Sequence, residues 1–446
     1  MPFPVHRGVG LVVLVAIANA VSAAEDAGRP ASRPAAEPTG VVKIVKTYQG
    51  YRLLRNGAPY FIKGAGYQSG LEKLPPAGGN SIRTWDADSA EKLLDEAHAL
   101  GLTVTVGIWL GHERHGVRYD DAQQVEGEMA RARQAVERLK SHPAILLWGI
   151  GNEMEGDGGN PRVWQTVNRI AKMIKEIDPN HPTMTVIAGV WPDKIARFKE
   201  HCPDVDILGI NAYGDLTPLV QELDRRQLDR PYVLTEFGPT GWWDASKTSW
   251  GAEREPTSTE KGETYLRAYQ TAVAGQPGRC LGSYAFIWGH KQEHTRTWFG
   301  MFLPEGEATA PVDAMTFAWT GKWPANRCPR VDGLTLSSSE AGRQIDAREP
   351  VLRPGETFVC RVSAADPDGD RLVYRWELRS ESSDRKTGGD RELAPPAHPD
   401  ALISADGPTG NFRAPTEPGA YRIFVYVVDP GGRAATANVP VLVKQE

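Results

Sequence analysis

The sequence lacks a strong excess of charge of either sign, and it contains little cysteine. Its 446 residues include 51 Lys and Arg against 56 Asp and Glu, which gives a formal net charge of −5 and no electrostatic case for a nucleic-acid partner. Four cysteines are present, at no spacing typical of metal ligands, so we expect neither a metal nor a cofactor: Cys202, Cys280, Cys328 and Cys360. They are either isolated buried residues or disulfide-bonded, and three complete pairings are open.

Long hydrophobic runs are also missing beyond residue 24. His6 and Arg7 precede an apolar stretch that ends in small residues, which predicts a secretory signal peptide over residues 1–24. Residues 25–41 are rich in Pro, Ala and charge and predict a disordered tether. We therefore expect a secreted or periplasmic protein without stable membrane insertion, with an uncleaved N-terminal anchor as the alternative.

Short apolar runs rich in β-formers alternate with amphipathic segments from residue 60 to about residue 317. This alternation is typical of repeated βα units around a parallel sheet. Eight runs occur, the number that closes a barrel: 60–65, 80–85, 102–109, 145–152, 184–189, 206–212, 231–236 and 281–288. The predicted fold is therefore α/β, a (β/α)8 TIM barrel.

Two helix starts and a hairpin are predicted within this domain, which we place at residues 42–322. Asp88, with Glu91 three residues later, is the predicted N-cap of the first barrel helix, and Asn160-Pro161 opens a later one. Residues 42–59 alternate like a β-hairpin with a turn at Asn56-Gly57. Such a hairpin would close the bottom of the barrel.

A second domain follows a Pro-containing linker at residues 323–330. Residues 331–446 show the period-two pattern and turn spacing of a small all-β, immunoglobulin-like sandwich. Its turn Asp366-Pro-Asp368-Gly-Asp370 resembles a turn of PKD-like and cadherin-like modules, where calcium binding is the alternative to a solvated turn. Since all eight barrel strands precede the linker, we expect a chain ending near residue 322 to fold and keep activity on small substrates. The C-terminal module would then provide contact with a cell surface or polymer.

Two carboxylates stand at strand ends where barrel chemistry takes place. Asn152-Glu153 ends the fourth predicted strand, and Glu236 ends the seventh. Because the carboxyl ends of the strands converge on one open face, these two side chains should face each other across the mouth. Glycosidic cleavage needs such a pair, one carboxyl protonating the leaving oxygen while the other attacks or activates water.

Five motifs in order resemble the large clan of retaining glycosidases that includes glycoside hydrolase family 2 and the β-glucanosyltransferases. They span about residues 45–320: PYFIKGAGYQ (59–68), NSIRTWDA (80–87), WGIGNEME (148–155), INAYG (210–214) and VLTEFGPTGWW (233–243). Family 2 enzymes carry a β-sandwich ahead of the barrel, for which residues 25–59 are too few. This departure favours a glucan-active relative.

The resemblance implies a role for each matching residue. Glu153 would be the acid/base and Glu236 the nucleophile. Asn152 would hold the sugar 2-hydroxyl, Arg83 and Tyr213 would pair with Glu236, and Trp288 would form the floor of the sugar subsite. As simpler alternatives, Arg83 is a surface charge and Tyr213 an ordinary strand residue.

Aromatic residues cluster at or just beyond the predicted strand ends, where they can stack on sugar rings: Trp85, Trp109, Trp191, Trp242, Trp243 and Trp288. Trp109 and Trp242 are predicted to bind substrate, whereas others, Trp191 in particular, should only pack loops. His112 and His115 are expected to be surface residues, with a place in the cleft as the alternative. Three acidic residues are expected to be loop charges that could also contact sugar hydroxyls: Glu113, Glu155 and Glu293.

The predicted function is retaining hydrolysis of a neutral β-linked glucan or oligosaccharide through a covalent glycosyl-enzyme intermediate. A neutral substrate is predicted because no basic cluster beyond Arg83 is present. Arg114 and Arg118 are the residues that could contradict this prediction. A β-glucan transglycosidase would need the same two carboxylates and remains an alternative. A catalytically dead carbohydrate-binding surface protein is the third hypothesis.

Overall fold

The computed structural model describes residues 40–386 and 388–445, so the predicted signal peptide and residues 25–39 of the predicted tether lie outside it. The described chain begins with an antiparallel sheet of β1 (Val42–Thr47), β2 (Gly50–Arg55) and β3 (Ala58–Tyr60). Asn56 and Gly57 both have positive φ, 50° and 77°, as a two-residue hairpin loop requires. Val42 and Leu53 pack among residues that start the barrel strands. The predicted hairpin is therefore a three-stranded sheet at the amino-terminal end of the barrel.

The barrel predicted from the sequence is confirmed. Eight parallel strands close on themselves in the order β10-β11-β4-β5-β6-β7-β8-β9. Their bounds are β4 Ile62–Tyr67, β5 Ser81–Arg83, β6 Thr103–Ile108, β7 Ile145–Ile150, β8 Thr183–Ala188, β9 Ile207–Asn211, β10 Tyr232–Phe237 and β11 Cys280–Trp288. Almost every residue of these strands is buried, because one face fills the barrel and the other lies under the helices.

Within the described residues, seven α-helices accompany the strands: α1 Ala90–Ala99, α2 Ala122–Leu139, α3 Pro161–Ile177, α4 Lys194–His201, α5 Thr217–Arg226, α6 Ser258–Tyr269 and α7 Ala310–Thr320. The start of α3 is as predicted, since Asn160 Oδ1 accepts a hydrogen bond from the Arg162 amide at 3.0 Å. The predicted cap at Asp88 is wrong. Helix α1 begins after Ser89, whose φ is +55°, while Asp88 donates its amide to Asp86 Oδ1 at 3.0 Å in a local turn.

Two β-sheets form the C-terminal region. One is antiparallel in the order β13-β15-β18-β17, and the other has the order β12-β20-β19-β16 with β14 also on β20. The strands are β12 Ala308–Thr309, β13 Arg330–Ser338, β14 Val351–Leu352, β15 Thr357–Ala365, β16 Val373–Ser380, β17 Leu402–Asp406, β18 Thr409–Arg413, β19 Gly419–Val428 and β20 Arg433–Val443. Phe358 and Phe412 of the first sheet pack in one core with Trp376 and Ile423 of the second. The region is all-β as predicted, and its immunoglobulin-like assignment stays a prediction.

The C-terminal region and the barrel share a polar interface. Strand β12 precedes the predicted linker, yet it pairs with β20 of the second sheet. Ser258 Oγ at the start of α6 accepts the Thr436 amide at 2.8 Å, and Arg422 donates to the Glu253 carbonyl at 2.7 Å. Asn438 donates to the buried Glu255 carboxylate at 2.7 Å. The two regions are therefore packed together and not merely linked.

The cysteines and the aspartate-rich turn have simple structural settings. All four cysteines lie within the described residues, and each is a buried free thiol. Asp366 Oδ1 accepts the amides of Asp368 and Asp370 at 2.8 and 3.1 Å, and Asp368 accepts the Arg327 amide at 2.6 Å. No group of three or more His, Cys, Asp or Glu able to hold a metal occurs in the described ranges. Likewise, none of the helices described has the length and apolarity needed to cross a bilayer.

Candidate active site

Glu236, near the end of β10, is held by three donors. Arg83 Nη1 and Trp85 Nε1 donate to its Oε1 at 2.8 and 2.9 Å, and the Tyr213 hydroxyl donates to its Oε2 at 2.6 Å. The carboxylate is buried, and the charge of Arg83 balances its own. Burial and the neighbouring Glu236 raise the pKa of Tyr213 well above its ordinary value, so its phenol remains a donor. This is the setting of a fixed, anionic carboxylate.

Arg83 connects the two carboxylate-bearing strand ends. Its Nη2 donates to Asn152 Oδ1 at 2.6 Å, and its Nη1 also reaches the Thr235 carbonyl at 3.1 Å. The side chain is 2% exposed, so the planar guanidinium has its direction fixed by these acceptors. The predicted pairing of Arg83 with Glu236 is present, and a surface position for Arg83 is wrong.

Glu153 follows β7 in an uncommon backbone conformation. Its φ is +54°, in the left-handed region that costs a non-glycine residue about 1 kcal/mol or more. The Glu153 amide donates to the Val186 carbonyl at 2.9 Å, which ties this turn to β8. Its Oε1 accepts one hydrogen bond from the Asn211 side-chain amide, at 2.8 Å. Backbone strain of this kind is concentrated at functional sites, where the surrounding structure maintains it.

Burial, and then the charge of Glu236, raise the pKa of Glu153 to about 7, while the hydrogen bond from Asn211 opposes the shift. Near neutral pH a large share of Glu153 therefore carries its proton. The two carboxyls thus differ in their surroundings: Glu236 is paired with a guanidinium, whereas Glu153 has a neutral amide donor. This is the asymmetry that an acid and a nucleophile require.

Asn152 and Asn211 complete a continuous hydrogen-bond network between the carboxylates. Asn211 Nδ2 lies 3.2 Å from Asn152 Oδ1, and Asn211 Oδ1 accepts from the Thr235 hydroxyl at 2.8 Å. Since Asn152 Oδ1 is held by Arg83 and Asn211, its Nδ2 group is directed away from both. That orientation suits the predicted contact with a sugar hydroxyl.

A buried ion pair supports the turn that carries Glu153. Glu155 Oε1 accepts from Lys194 Nζ at 2.7 Å and from the Ala188 amide at 2.9 Å, and both charged side chains are buried. Glu155 was expected to be a loop charge, and the structure corrects this: it connects the turn after β7 to the segment after β8. Glu293 is also buried, and Lys291 pairs with it at 2.8 Å. Glu113 is exposed and bonds Asn160.

Trp288 is a correction to the predicted sugar contacts. It is 0% exposed, donates its Nε1 to the Gly70 carbonyl at 2.9 Å, and packs against Phe302 and Trp319. With no free face in this structure, it is a core residue.

Other tryptophans present exposed faces at the mouth. Trp109 is 40% exposed, Trp191 46% and Trp243 45%. Trp242 is partly buried between Trp243, at 5.6 Å, and His294, at 5.5 Å between ring centroids. Trp243 therefore has the larger exposed face, whereas Trp242 was predicted to bind substrate. Trp191, expected only to pack a loop, is also exposed.

The two histidines of the loop after β6 differ. His115 is exposed, as expected, but His112 is buried and stacked on Trp109 at 5.1 Å between ring centroids. Burial, then the charges of Arg114 and His115, lower the pKa of His112 to about 4, so its imidazole is neutral. For His112 the structure thus favours the alternative, a position beside the cleft.

Two residues of the carboxylate network were not singled out from the sequence. Trp85 had been noted only as a strand-end aromatic, yet it donates to Glu236. Asn211 lies inside the INAYG motif at the end of β9 and bonds Glu153. Asn211 could have been identified from the sequence because it is a polar residue at the end of an apolar strand.

A TIM barrel with two such carboxylates at the ends of its fourth and seventh strands has the architecture of the barrel glycosidases. Residues 91–270 match the family model described as glycosyl hydrolases family 2, TIM barrel domain. The barrel therefore resembles the TIM barrel domain of family 2 glycosyl hydrolases.

Similar proteins include two curated sequences. A putative β-glucuronidase of Formosa agariphila is 24% identical over 202 residues, 43% of this chain and 17% of that protein. A β-glucuronidase of Streptococcus agalactiae is 24% identical over 213 residues, 40% of this chain and 34% of that protein. The chain thus spans about a third or less of the length of these relatives.

Solved structures share the fold. The β-glucuronidase of Ruminococcus gnavus superposes with a TM-score of 0.51 at 16% identity, covering 63% of this chain and 53% of that one. The Bifidobacterium dentium β-glucuronidase gives 0.50 at 17% identity, covering 64% and 50%. At these identities the likeness concerns the fold.

Proposed function

We propose that the protein is a retaining glycoside hydrolase acting on β-linked saccharides outside the cytoplasm, with Glu236 as nucleophile and Glu153 as acid/base. The observation that carries the proposal is the contrast between the carboxyls. Glu236 accepts from a guanidinium, an indole and a phenol, whereas burial and Glu236 raise the pKa of Glu153. Double displacement needs one anionic and one protonated carboxyl at the same time.

In the first step a Glu236 oxygen attacks the anomeric carbon, the glycosidic bond breaks, and the leaving oxygen takes the proton of Glu153. Because Glu153 Oε1 accepts from Asn211, the proton belongs on Oε2, which is then free to point at the leaving group. In the second step ionised Glu153 removes a proton from water, whose oxygen attacks the same carbon and releases Glu236. Arg83 and Tyr213 keep Glu236 oriented through both steps, and the Asn152 Nδ2 group donates to the sugar 2-hydroxyl.

For the sugar we propose a neutral hexose, as in a β-glucan. Lys291 and Arg114 lie in the loops after β11 and β6, and each has a carboxylate partner within the chain. Lys291 Nζ is 2.8 Å from Glu293, and Arg114 Nη2 is 3.8 Å from Asp390. The carboxylate of an acidic sugar would have to displace Glu293 or Asp390 from its cation. A neutral sugar can bind while both ion pairs stay intact. The exposed tryptophans suit the apolar faces of neutral sugars.

A β-glucuronide is the second candidate, because the similar curated proteins bear the name β-glucuronidase. If this chain takes a uronic acid, Lys291 or Arg114 should exchange its carboxylate partner for the substrate's. Transfer of the sugar to an acceptor other than water would use the same two carboxylates, so product analysis must separate it from hydrolysis.

The test is an activity screen with p-nitrophenyl β-glucoside, β-galactoside, β-mannoside and β-glucuronide, with the first product observed by proton NMR. We expect turnover with release of the β-anomer before mutarotation, and Glu236→Gln should abolish it. A first product of α configuration would overturn the retaining mechanism, and a marked preference for the glucuronide would replace the neutral sugar. Added saccharide acceptors would reveal any transfer products by mass.

A further inference from the structure

One loop of the C-terminal region reaches the catalytic face of the barrel. It lies between β16 and β17, and we call residues 385–386 and 388–392 the rim loop. Arg385 pairs with Glu253 at 3.0 Å, and Glu253 has no exposed surface. Glu392 accepts the backbone amides of His294 at 2.5 Å and Lys386 at 3.0 Å. The rim loop is therefore fixed to the barrel segments that follow β10 and β11.

The tip of the rim loop lies between two barrel loops. A Cβ atom on Gly388 would stand 2.6 Å from Arg114 Nη2, and one on Gly389 would stand 2.9 Å from Lys291 Nζ. Both glycines have positive φ, 66° and 76°, so this approach needs glycine. Consecutive Cα atoms are only about 3.8 Å apart. The head groups of Arg114 and Lys291 therefore converge on one dipeptide.

Hydrogen bonds and ion pairs also hold the tip of the rim loop between these two barrel loops, and we call this connection the bridge. Lys291 Nζ donates to the Gly389 carbonyl at 3.2 Å, and the Asp390 carboxylate lies 3.1 Å from His115 Nε2 and 3.8 Å from Arg114. Arg114 and His115 follow β6, whereas Lys291 follows β11. In the ring of barrel strands, β4 and β5 lie between β6 and β11. The rim loop thus joins the two barrel loops that flank β4 and β5 in the ring.

This bridge lies close to the reacting groups. Lys291 Nζ is 5.1 Å from the centroid of the Phe286 ring. The Phe286 ring stands edge-on to Trp85 at 5.9 Å and to Tyr213 at 5.8 Å, and both of these donate to Glu236. One aromatic ring therefore separates the bridge from the donors of the nucleophile.

We propose that the rim loop is one wall of the substrate cleft and makes the site a pocket for the end of a saccharide chain. The inference rests on the proposed glycosidase activity and deepens it. The terminal sugar sits against the wall above β4 and β5. The leaving saccharide passes beside Glu153 on the opposite side, where Trp191 is exposed after β8. The enzyme therefore removes single sugars from chain ends.

The experiment compares the full-length protein with two variants that loosen the bridge. Asp390→Ala removes the carboxylate facing Arg114 and His115, and Asp390→Ala/Glu392→Ala also removes the acceptor of two backbone amides. Asp400→Ala, on an exposed turn of the same region, is the matched control. Each protein is given the p-nitrophenyl β-glycoside that the wild type hydrolyses fastest, and a reducing-end-labelled pentasaccharide of the same β-linked sugar.

For the wild type and Asp400→Ala we expect monosaccharide release and labelled products that shorten by one unit at a time. The double variant should also form internal cleavage products, at about a tenth of the total or more, while Asp390→Ala shows a smaller amount. Amide exchange in residues 112–116 and 291–295 should rise about tenfold in the double variant alone.

Internal cleavage by the wild type, or an unchanged product pattern in a double variant whose loops exchange faster, would overturn the inference. Those results leave the aryl-glycoside activity intact, so the proposed function would stand. Absence of any aryl-glycoside hydrolysis by the wild type would instead overturn the proposed function and the inference that rests on it.

Discussion

Arg83 donates to Glu236 across 2.8 Å, and both side chains are buried. The same guanidinium holds Asn152, so one residue aligns the nucleophile with the predicted sugar contact. Leaving a buried partner unpaired costs about 3–5 kcal/mol. We expect Arg83→Met to lower the free energy of unfolding by about 3 kcal/mol and kcat by at least about a hundredfold.

Arg83→Lys is the matched control for this prediction, because it retains the charge but cannot bridge two acceptors. It should recover stability more than activity, as measured by urea unfolding and aryl-glycoside kinetics on the same preparations. Equal recovery of both would show that the charge of Arg83 matters and its bridging geometry does not.

Tyr213 should affect the rate more than the stability. Tyr213→Phe removes the hydroxyl that donates to Glu236 at 2.6 Å and leaves the ring packed against Phe286 and Phe299. We expect kcat to fall by about ten- to a hundredfold with KM little changed, and stability to change by about 1 kcal/mol. A variant with normal kcat would mean that Arg83 and Trp85 are sufficient to position Glu236.

The titration of Glu153 should be visible in stability. Its pKa is raised to about 7 in the folded protein from an ordinary value of 4.5, so the native state keeps a proton that the unfolded chain loses in this window. The resulting stabilisation is fully present below about pH 4.5 and is lost as the pH rises to about 7. Glu153→Gln does not titrate. Its melting temperature relative to wild type should therefore increase from about pH 5 to about pH 8.

Glu222→Gln is the control for this trend. Hydrogen bonds from Arg225 and Arg226 lower the pKa of Glu222 to about 2. Its contribution to stability is therefore lost only as the pH falls toward about 2. The difference between Glu222→Gln and wild type should stay flat between about pH 5 and about pH 8. A flat Glu153→Gln difference over the same range would contradict a raised pKa for Glu153.

Removing the C-terminal region should destabilise the barrel, against the expectation from the sequence. A chain ending at residue 322 loses Arg422, Arg385 and Asn438, which bond the buried Glu253 and Glu255 alongside the barrel's own Lys247 and Lys261. We expect it to unfold at a much lower temperature than the full chain, or not to fold, as followed by circular dichroism. Native-like melting and aryl-glycoside activity would restore the simpler division into separable domains.

A substitution in the full chain tests the same interface. Arg422→Met should cost about 3 kcal/mol, since the buried guanidinium donates to the Glu253 carbonyl and faces Glu381 and Asn438. Arg413→Met, at an exposed arginine of β18, should stay within about 0.5 kcal/mol of wild type.

The barrel and its carboxylates were predictable because their signals are local in sequence. Each barrel strand is an apolar run bounded by turn residues, and Asn152-Glu153 and Glu236 stand directly at the ends of two such runs. Arg83 and Tyr213 were predictable through their motifs. Asp88 failed as a cap because its amide bonds Asp86 in a local turn, and the helix begins one residue later, after Ser89.

What could not be predicted depends on contacts between distant parts of the chain. Whether Trp288 or Trp243 faces the cleft is decided by packing against Phe302 and Trp319, which the strand pattern does not contain. The ion pair of Glu155 with Lys194, and the approach of Gly389 to Lys291, likewise join segments that carry no common motif.

The roles of Glu153 and Glu236 are tested most directly by comparing Glu153→Ala and Glu236→Ala on aryl β-glycosides with leaving groups of graded acidity, with and without azide. We predict that Glu236→Ala is inactive on every substrate, since the covalent route is gone. Glu153→Ala should still react with dinitrophenyl glycosides, stall at the glycosyl-enzyme, and be released by azide as the β-glycosyl azide. Identical responses of the two variants across leaving groups, or an α-glycosyl azide from Glu153→Ala, would contradict the assignment.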